Sequence, residues 1–479
     1  MIEVISLDDI TIDRQSNLQD QLYRKVVSKI VKGELKQGVK LPSSRLLSKE
    51  LKISRNTVIK TYDQLCDEGY LVSKLGSGVF VNADCLDHTF NVENDEKSVV
   101  YKLPSLSSFA NSLNINAERS SKNLPFSPGL TALDEFPFKI WQQIFKRHTD
   151  RKHLYGYDDP NGYLPLREAL VDYLAHSRGV KCDAEQVVIT QGAQQAITLC
   201  AQVLVNPDQQ VLIEEPGYRS ANSAFQALGA NINSVPLNNN RLSISYLRNG
   251  KFAKASVLYC TPTHQYPMGG ILPASERMEL LSWAVENNTW IIEDDYDSEF
   301  HFDQKPVASI QGLADAAPVV YLGSFSKTMF PGLRLGYLVV PKQVAEYFSS
   351  AKSATCGESN LLTQAVLADF IKEGHFTRHI RRMRQSYHKK WLHFRELLNT
   401  LSPRCKLIAE SAGMHLVLEI EGIDDSLLSG YLQMFGFSPS PLSAYYKNES
   451  KRTGLVLGFA NTNKQQREEL VEHIRQFVK

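Results

Sequence analysis

Six short and almost fully apolar runs alternate with longer amphipathic segments between Leu124 and the end of this 479-residue chain. A strand that lacks polar alternation is buried on both faces, and helices between such strands cover the two faces of a parallel sheet. The pattern therefore predicts an α/β fold with a mostly parallel sheet. The predicted strands are Val187–Thr190, Gln210–Glu214, Ser256–Thr261, Trp290–Glu293, Val319–Gly323 and Gly336–Val340.

The last part of the chain, about residues 351–479, has a different pattern. A long basic segment with helical periodicity extends from Ala351 to Tyr387, and strand-like runs follow at Gly413–Glu419 and Gly454–Phe459. Strands that follow a helix without alternating with further helices are typical of an α+β arrangement. We predict a smaller C-terminal α+β subdomain within a body that spans residues 123–479.

The first 82 residues predict a separate, mainly helical domain that ends in a hairpin. Apolar residues recur at helical spacing over residues 22–31, and a short helix is predicted at Arg45–Leu51. Ser54 is a suitable N-cap for a second helix, which Gly69 would end. Two strand-like runs within residues 70–81 surround a Gly-Ser-Gly turn. This order predicts a helix-turn-helix followed by a β-hairpin.

Residues 83–122 connect the two parts. They are rich in Asn, Ser, Asp and Glu, and their hydrophobic periodicity is weak. Such a composition is typical of a linker. We therefore predict a first domain over residues 1–82, a linker over residues 83–122 and a body over residues 123–479.

Charge is distributed unevenly along the chain. Residues 14–60 contain 12 Lys or Arg and three Asp or Glu, a local charge of +9, whereas the whole chain has a formal charge of +1. The rest of the chain therefore has a charge of −8. A basic first domain favours contact with a phosphate backbone, although a solvated helix surface would give the same count.

The second helix of the first domain begins with residues that suit contact with DNA. In a helix-turn-helix, the first residues of this helix reach the base edges in the major groove. Arg55 and Asn56 can hydrogen-bond to bases, and Ser54 and Thr57 can reach phosphates. Glycines at the hairpin tip would allow the backbone to approach DNA closely. The predicted DNA-binding residues are Arg45, Ser54, Arg55, Asn56, Thr57, Lys74, Gly76 and Gly78.

The first domain resembles the winged helix-turn-helix of GntR-type regulators. The resemblance covers almost the whole domain and rests on Leu41-Pro42-Ser43, Arg45, Leu47, Ile53-Ser54-Arg55, Thr57-Val58, Glu68-Gly69-Tyr70-Leu71, Gly76, Gly78 and Phe80-Val81. It implies that the first domain binds double-stranded promoter DNA.

Lys327 lies between Gly323-Ser324-Phe325-Ser326 and Pro331-Gly332-Leu333-Arg334. Pyridoxal 5′-phosphate requires a lysine for its aldehyde, an acid for its ring nitrogen, donors for its phosphate and a group that covers its ring. Lys327 is predicted to form the Schiff base. Asp294 follows the apolar strand Trp290–Glu293, at the edge where an open α/β sheet binds ligands, and is predicted to pair with the ring nitrogen. Asp295 and Asp297 are competitors for that role.

The other requirements of the coenzyme are met by residues near the ends of the predicted strands. Gly192 opens a helix whose free N–H groups could bind phosphate, and Ser324, Ser326 and Arg334 add further donors. Tyr218 is predicted to stack on the ring and Tyr296 to reach its phenolic oxygen. His264 is either a structural histidine or a residue behind the ring. The cofactor-binding residues predicted from these positions are Lys327, Asp294, Tyr296, Gly192, Ala193, Gln194, Tyr218, Ser324, Ser326, Arg334 and His264, and the family resemblance described next adds Tyr155.

The body resembles fold-type I aminotransferases, and the whole chain resembles the MocR/GabR group of regulators, which join that fold to a winged helix-turn-helix. Further matching segments are Tyr155-Gly156-Tyr157, Pro160, Gly162, Leu166-Arg167, Gln186-Val187-Val188-Ile189-Thr190 and Pro262-Thr263-His264-Gln265-Tyr266-Pro267. In this family the tyrosine that matches Tyr155 reaches the phosphate in the partner subunit. The resemblance therefore implies a homodimer, arranged head to tail.

Two positions depart from the pattern of catalytic relatives. Tyr266 stands where those enzymes have an asparagine, and Val456 stands where many amino-acid-binding relatives have an arginine that binds a carboxylate. An α-amino acid effector is therefore in doubt, and another amine or the coenzyme itself is favoured. Arg219 could replace the missing anion contact or be a surface residue. The basic group Arg378, Arg381, Arg382 and Arg384 favours a solvated helix face, with DNA contact as the alternative.

We interpret the chain as a pyridoxal-phosphate-dependent transcriptional regulator that responds to the coenzyme or to an amine-like effector, without sustained turnover. The alternative is a working aminotransferase whose DNA-binding domain is autoregulatory. The seven cysteines are scattered without a Cys-x-x-Cys pair, which argues against a zinc or disulfide framework. No stretch is long enough to span a bilayer. We therefore predict a cytoplasmic location, no membrane partner and no metal site.

Overall fold

The computed structural model describes residues 7, 12–13, 16–83, 105, 107, 109–110, 123–250, 252, 254–303, 307–314, 317–408, 410–447 and 452–478. The chain divides into two compact units, Met1–Leu106 and Ser107–Lys479. Most of the predicted linker, residues 83–122, lies outside the described residues.

The N-terminal unit has three helices and a two-stranded hairpin, as the sequence predicts. Its elements are α1 (Leu18–Val31), α2 (Ser44–Glu50), α3 (Arg55–Asp67), β1 (Leu71–Lys74) and β2 (Gly78–Val81).

Serine caps fix where the second and third helices of this unit begin. The side chain of Ser43 accepts the N–H of Leu46, and that of Ser54 accepts the N–H of Thr57. Each such cap contributes about 1 kcal/mol. The apolar faces of the three helices and the hairpin enclose one core, which includes Leu22, Val26, Ile30, Leu47, Val58, Leu65, Leu71 and Val81.

The larger unit is built from alternating helices and strands. Its helices are α4 (Phe138–His148), α5 (Leu164–Arg178), α6 (Ala193–Leu204), α7 (Arg219–Gln226), α8 (Ile244–Arg248), α9 (Ala274–Glu286), α10 (Phe325–Thr328), α11 (Ala345–Cys356), α12 (Leu361–Lys372), α13 (His375–Leu398), α14 (Asp425–Gln433) and α15 (Lys464–Val478). Its strands are β3 (Val187–Thr190), β4 (Gln210–Glu215), β5 (Asn231–Asn238), β6 (Arg241–Leu242), β7 (Ala255–Cys260), β8 (Trp290–Asp295), β9 (Val319–Ser324), β10 (Gly336–Val339), β11 (Cys405–Ile408), β12 (His415–Ile420), β13 (Ser440–Pro441) and β14 (Gly454–Gly458).

Within the described part of this unit, eight strands form one sheet in the order β3-β10-β9-β8-β7-β4-β5-β6. Strands β9, β8, β7, β4 and β5 pair in parallel, whereas β10 is antiparallel to both β3 and β9, and β6 is antiparallel to β5. The prediction of a mostly parallel sheet is therefore confirmed. Side chains from the two faces of the sheet belong to separate clusters, such as Ile213 and Phe348 on one face and Leu212 and Trp283 on the other.

The six predicted strands are present, and their bounds differ from the prediction by no more than two residues. The main difference is at β8, which continues through Asp294 and Asp295. The sequence prediction ended this strand at Glu293, before the two aspartates. Both aspartates are nevertheless buried, so the acidic segment is part of the sheet.

The prediction of one long helix over residues 351–387 is wrong. Three helices, α11, α12 and α13, cover this region, and the breaks contain Gly357 and Gly374. Both glycines have positive φ, at 63° and 72°, a conformation that ends or redirects a helix.

The C-terminal part of the larger unit forms the predicted α+β subdomain. Among the described residues, its four strands make an antiparallel sheet in the order β11-β12-β14-β13. No described helix combines the length and the apolar composition that crossing a bilayer requires.

Candidate functional site

A cavity of about 470 Å³ lies where several parallel strands end. Strands β7, β8 and β9 run in the same direction, so their carboxyl ends meet at one edge of the sheet. Nine of the predicted cofactor-binding residues line this cavity: Ala193, Gln194, Tyr218, Asp294, Tyr296, Ser324, Ser326, Lys327 and Arg334. The fold therefore brings together side chains that are far apart in the sequence.

Lys327 lies on the short helix α10, directly after β9. Its Nζ donates a hydrogen bond to the carbonyl oxygen of Gly129 at 2.9 Å. Gly129 has φ +77°, and a Cβ atom at this position would lie 2.0 Å from Nζ. The amine of Lys327 therefore lies directly against Gly129, and any side chain at position 129 would displace the amine.

Asp294 provides a buried carboxyl group at the cavity wall. It is 4% exposed, its Oδ2 accepts a hydrogen bond from the hydroxyl of Tyr259, and within the described residues its Oδ1 has no hydrogen-bond partner. Burial raises the pKa of Asp294 to about 7, although the bond from Tyr259 acts in the opposite direction. A carboxyl group in this state is suited to share a proton with a basic ring nitrogen.

The two competitors for the role of Asp294 lie elsewhere. Asp295 accepts hydrogen bonds from Arg178 Nε at 2.6 Å and from the hydroxyl of Tyr321 at 2.5 Å. Both carboxylate oxygens of Asp297 lie 3.1 Å from His264 Nδ1. Neither aspartate lines the cavity. Of the three acids, only Asp294 is therefore placed to meet a ligand there.

The other end of the cavity is rich in hydrogen-bond donors. Helix α6 begins beside the cavity, and its N-cap, Gly192, has φ +82° and provides no side-chain cap. The guanidinium of Arg334 lies 3.7 Å from where a Cβ atom of Gly192 would be. Arg334 also donates to the carbonyl oxygen of Gln191 at 3.1 Å, and Ser324 accepts the N–H of Ser326 at 3.2 Å. Free N–H groups at a helix start with an arginine and hydroxyl groups form a suitable site for a phosphate.

Aromatic side chains form another part of the cavity wall. The rings of Tyr218 and Tyr266 are edge to face with centroids 5.8 Å apart, and Tyr266 makes a similar contact with Tyr296 at 5.5 Å. The hydroxyl groups of Tyr266 and Tyr445 are 3.1 Å apart. Burial raises the pKa of Tyr266 and Tyr296 well above the usual range, so both remain hydroxyl groups near neutral pH.

Several cavity residues were not among the predicted site residues. Tyr259, which binds Asp294, is the penultimate residue of β7, and its position at the end of a predicted strand was a usable signal. Gly129 stands in a Pro-Gly pair that indicates only a turn. Ser440 and Tyr445 come from the C-terminal subdomain, and nothing in their local sequence places them beside Lys327.

Three predicted residues do not line the cavity. Gly192 acts through the start of α6, and His264 lies behind Tyr296, with Nδ1 2.9 Å from the tyrosine hydroxyl. Tyr155 is 63% exposed, and its hydroxyl donates to the carbonyl oxygen of Thr149 at 3.0 Å. Its predicted role concerns a partner subunit and stays a prediction.

Val456, which replaces the arginine of amino-acid-binding relatives, and Arg219, the possible replacement for that arginine, also lie outside the cavity wall. Val456 is fully buried and packs in a cluster with Met268 and Leu442. Arg452 forms an ion pair with Glu419, and the exposed Arg219 does not line the cavity. In the basic group on α13, three arginines donate to backbone carbonyl groups: Arg378, Arg382 and Arg384.

One buried group in the described part of the chain has the composition of a metal site. Ligand atoms of His264, Asp297 and His415 lie within 4.8 Å of one another. His264 is already hydrogen-bonded to Asp297, and His415 Nε2 lies 2.8 Å from the carbonyl oxygen of Pro267. We interpret the group as a hydrogen-bonded cluster and assign no metal to it.

The predicted DNA-binding residues are presented at the surface of the N-terminal unit. Arg55 and Asn56 are exposed in the first turn of α3, and Arg55 Nε donates to the hydroxyl of Ser44 at 3.3 Å. Lys74 is exposed on the hairpin, with its ammonium 5.2 Å from the ring centre of Phe80. This arrangement places donors on the helix start and on the hairpin, the two elements that a winged helix-turn-helix directs at DNA. The other predicted contacts also lie on these elements or on α2: Arg45, Ser54, Thr57, Gly76 and Gly78.

Two family models match the chain in separate regions. Residues 18–81 match bacterial regulatory proteins of the gntR family, and residues 128–474 match aminotransferase class I and II. The second match includes the strands, helices and cavity described above.

Full-length relatives combine both parts. The probable rhizopine catabolism regulatory protein MocR of Rhizobium meliloti is 36% identical and covers 97% of this chain and 95% of its own length. The pyridoxine biosynthesis transcriptional regulator PdxR of Corynebacterium glutamicum is 29% identical over 93% of this chain and 92% of its own. Among solved structures, that of Pyrococcus horikoshii kynurenine aminotransferase in complex with PMP is similar, with a TM-score of 0.72 and 25% sequence identity. The match covers 78% of this chain and 96% of the aminotransferase chain. The chain belongs to the MocR-type helix-turn-helix transcriptional regulators, which join a GntR-type domain to an aminotransferase class I and II domain.

Proposed function

We propose that this regulator binds pyridoxal 5′-phosphate in the cavity of the larger unit and that the state of this ligand controls its affinity for promoter DNA. The observation that supports the proposal most directly is the presence of Lys327 Nζ and the buried carboxyl of Asp294 at one cavity. The cavity residues fit the coenzyme because its aldehyde, its ring nitrogen and its phosphate each have a suitable partner among them.

Lys327 would hold the coenzyme covalently and Asp294 would hold the proton of its ring nitrogen. The α6 start, Ser324, Ser326 and Arg334 would bind its phosphate. When bound, the coenzyme supplies an electrophilic carbon that reacts with amines. The Oδ1 atoms of both Asp294 and Asp295 are buried and have no hydrogen-bond partner among the described residues, but only Asp294 lines the cavity, where a ligand would supply the missing partner.

The N-terminal unit would bind double-stranded DNA through α3 and the hairpin. The local charge of +9 in residues 14–60 favours the phosphate backbone, and Arg55 and Asn56 can contact base edges. Two half-sites are expected, because the proposed assembly is a head-to-tail homodimer with Tyr155 directed at the partner's phosphate site. Ligand-dependent control then requires that the effector bind one arrangement of the dimer more tightly than another.

The effector is proposed to be the coenzyme itself or an amine that reacts with it. PdxR regulates pyridoxine biosynthesis, which supports the coenzyme as a signal, and MocR regulates rhizopine catabolism, which supports a catabolic ligand. Val456 supports an effector other than an ordinary α-amino acid, because it provides no charge to bind a carboxylate.

A working aminotransferase is the second candidate function. It is favoured by the similarity to kynurenine aminotransferase and by the amine and carboxyl groups at the cavity. Incubation with common amino donors and keto acids distinguishes the two functions. Sustained turnover at about 1 s⁻¹ or faster would establish the enzyme, whereas a single half-reaction supports the regulator.

The test compares the wild-type chain with Lys327→Ala. Purified protein is incubated with pyridoxal 5′-phosphate, reduced with borohydride and digested, and the labelled peptide is identified by mass spectrometry. We expect the label on Lys327 in the wild type and its loss in the variant. Lys342→Ala is the matched control, because Lys342 is exposed and does not line the cavity.

The same proteins are then assayed for affinity to the intergenic DNA beside the regulator's own gene, with and without the coenzyme. We expect at least a roughly fivefold change in the wild type and none in Lys327→Ala, as a coupling of about 1 kcal/mol would produce. A wild-type chain without label, or a DNA affinity that ignores the coenzyme, would contradict the proposal.

A further inference from the structure

A chain of three hydrogen-bonded side chains leads away from the cavity wall. Tyr296 lines the cavity, and its hydroxyl lies 2.9 Å from His264 Nδ1. The same nitrogen lies 3.1 Å from each carboxylate oxygen of Asp297. His264 is 4% exposed and Asp297 is 2% exposed, so bulk water does not compete for these bonds.

Two glycines keep space for the imidazole. Gly413 has φ +77°, and a Cβ atom there would lie 2.1 Å from His264 Cε1 and 2.8 Å from Asp297 Oδ2. A Cβ atom on Gly269, with φ +83°, would lie 3.3 Å from His264 Nε2. The local backbone is therefore arranged around this histidine, which argues against an incidental contact.

The proton on the imidazole decides what Tyr296 can donate. Burial alone would lower the pKa of His264, but the carboxylate of Asp297, with a smaller contribution from Glu410, raises it above the usual range. Since ionised Asp297 only accepts hydrogen bonds, it favours the form with a proton on Nδ1. A protonated Nδ1 cannot accept the hydrogen of Tyr296. The tyrosine must therefore direct its own hydrogen away from the imidazole, and Tyr296 lines the cavity.

Besides Asp297 and Tyr296, the described titratable groups near His264 are His415, Glu410 and Tyr266. His415, on β12, has its pKa lowered to about 4 by burial and by His264, so it is neutral near pH 7. Glu410 precedes the same strand and makes no hydrogen bond to His264. Tyr266 lies on the other side, with its ring 5.3 Å from that of His415.

We propose that Asp297 and His264 are positioning residues that fix Tyr296 as a hydrogen-bond donor into the cavity, toward a ligand with a phenolate oxygen. This inference rests on the proposed function, since pyridoxal 5′-phosphate is such a ligand. Without the acceptor at residue 297, Nδ1 would accept the hydrogen of Tyr296, and the hydroxyl would present only lone pairs to the cavity.

The first test measures absorbance against pH for protein loaded with pyridoxal 5′-phosphate. Asp297→Ala removes the acceptor, and Tyr296→Phe removes the donor itself. Both substitutions should raise the pH at the midpoint of the absorbance change by about one unit. The reason is that the charged phenolate oxygen of the coenzyme loses a hydrogen-bond donor. Asp297→Asn is the conservative variant, because it removes the charge but keeps an acceptor oxygen. Its midpoint should differ from that of the wild type by no more than half the difference seen for Asp297→Ala.

The outcomes separate this inference from the proposed function. If wild-type protein takes up no coenzyme, the proposed function fails. If it takes up coenzyme but Asp297→Ala keeps the wild-type midpoint, or Asp297→Asn shifts it as far as Asp297→Ala does, the positioning role is wrong.

A second measurement uses neither the coenzyme nor an Asp297 variant, in case these variants do not fold. Nitrogen-15 NMR of histidine-labelled, coenzyme-free wild type reports the proton on each imidazole nitrogen, and His264→Asn identifies the signal. A protonated Nδ1 near neutral pH is expected. A bare Nδ1, or a stoichiometric metal ion that a chelator removes from His264, would overturn the inference.

Discussion

Asp294 and Asp295 are neighbours on β8 and almost equally buried, at 4% and 5% exposure, yet their surroundings differ. Asp294 lines the cavity and accepts one hydrogen bond, from the uncharged hydroxyl of Tyr259. Asp295 faces the opposite side of the sheet and binds the guanidinium of Arg178 as well as Tyr321. Successive side chains of a strand point to opposite faces, so one step along β8 separates the cavity from the core.

The difference shows how one strand can provide both a structural and a functional carboxylate. The charge of Asp295 is compensated by Arg178, which also donates to Thr263 at 2.8 Å and to the carbonyl oxygen of Val307 at 3.0 Å. Among the described residues no cation is hydrogen-bonded to Asp294, and burial raises its pKa to about 7. Its ionisation therefore destabilises the coenzyme-free fold, and a ligand that supplies a proton would remove this cost.

The largest expected effect on stability comes from removing Asp295, the structural aspartate of the two. Asp295→Ala leaves the guanidinium of Arg178 buried at 3% exposure without its carboxylate. We expect a loss of about 3 to 5 kcal/mol in the free energy of unfolding. Urea denaturation of the coenzyme-free protein measures this, with Asp294→Asn as the matched control on the same strand. Equal stability of Asp295→Ala and wild type would show that the ion pair is not structural.

Replacing Asp294, the cavity aspartate, should instead increase the stability of the coenzyme-free protein. Since the folded pKa of Asp294 is raised to about 7, its contribution to stability is complete at acidic pH and is lost as pH rises through that value. Asp294→Asn removes this loss, so the coenzyme-free variant should be more stable than wild type by up to about 4 kcal/mol at about pH 8.

The gain should shrink as pH falls and disappear below about pH 3, where Asp294 is protonated in both folded and unfolded chains. Urea unfolding at several pH values measures the difference between the two proteins. A difference that does not change with pH would show that Asp294 does not titrate in this window.

Adding the coenzyme should narrow the difference in stability between the two proteins. Asp294→Asn cannot provide a carboxylate for the protonated ring nitrogen, so its affinity for pyridoxal 5′-phosphate should fall at least tenfold, equivalent to about 1.4 kcal/mol. Thermal shifts over a coenzyme titration measure this change. If Asp294→Asn gains as much stability from the coenzyme as wild type does, Asp294 is not the ring-nitrogen partner.

The smallest effect is expected from Tyr259→Phe. Its hydroxyl donates to Asp294 and lowers the pKa of that carboxyl, against the larger effect of burial. The variant should therefore move the loss of stability to higher pH and cost about 1 kcal/mol. Stability against pH in the coenzyme-free protein measures both quantities. Tyr321→Phe, which removes the corresponding donor to Asp295, is the matched comparison and should leave the pH dependence unchanged.

Local sequence was sufficient for much of the fold. The strand Val187–Thr190 was predicted to the residue, because a fully apolar run between helices has few alternatives. Ser54 identified the start of α3 for a local reason, since a cap needs only a side-chain oxygen near the first free N–H groups. In contrast, β5 was missed because its exposed and polar positions do not resemble the apolar central strands.

The candidate site divides in the same way. Lys327, Ser324 and Arg334 lie within one short segment, so a local pattern is enough to propose a phosphate and amine site. The sequence favoured Asp294 over its competitors Asp295 and Asp297 by its place after the apolar run. Which of the three lines the cavity depends on the face of β8 that opens to it, and only the structure provides that.

By itself, the sequence determined the elements and the kinds of chemistry: a capped helix pair with basic residues, buried parallel strands, and an amine and carboxyl groups near strand ends. Those properties depend on residues close to one another along the chain. Only the tertiary structure decided that Gly129 lies beside Lys327, that Tyr445 completes the wall and that His264 stands between Tyr296 and Asp297. Such contacts join residues distant in the chain, and they form only when the sheet and the C-terminal subdomain pack together.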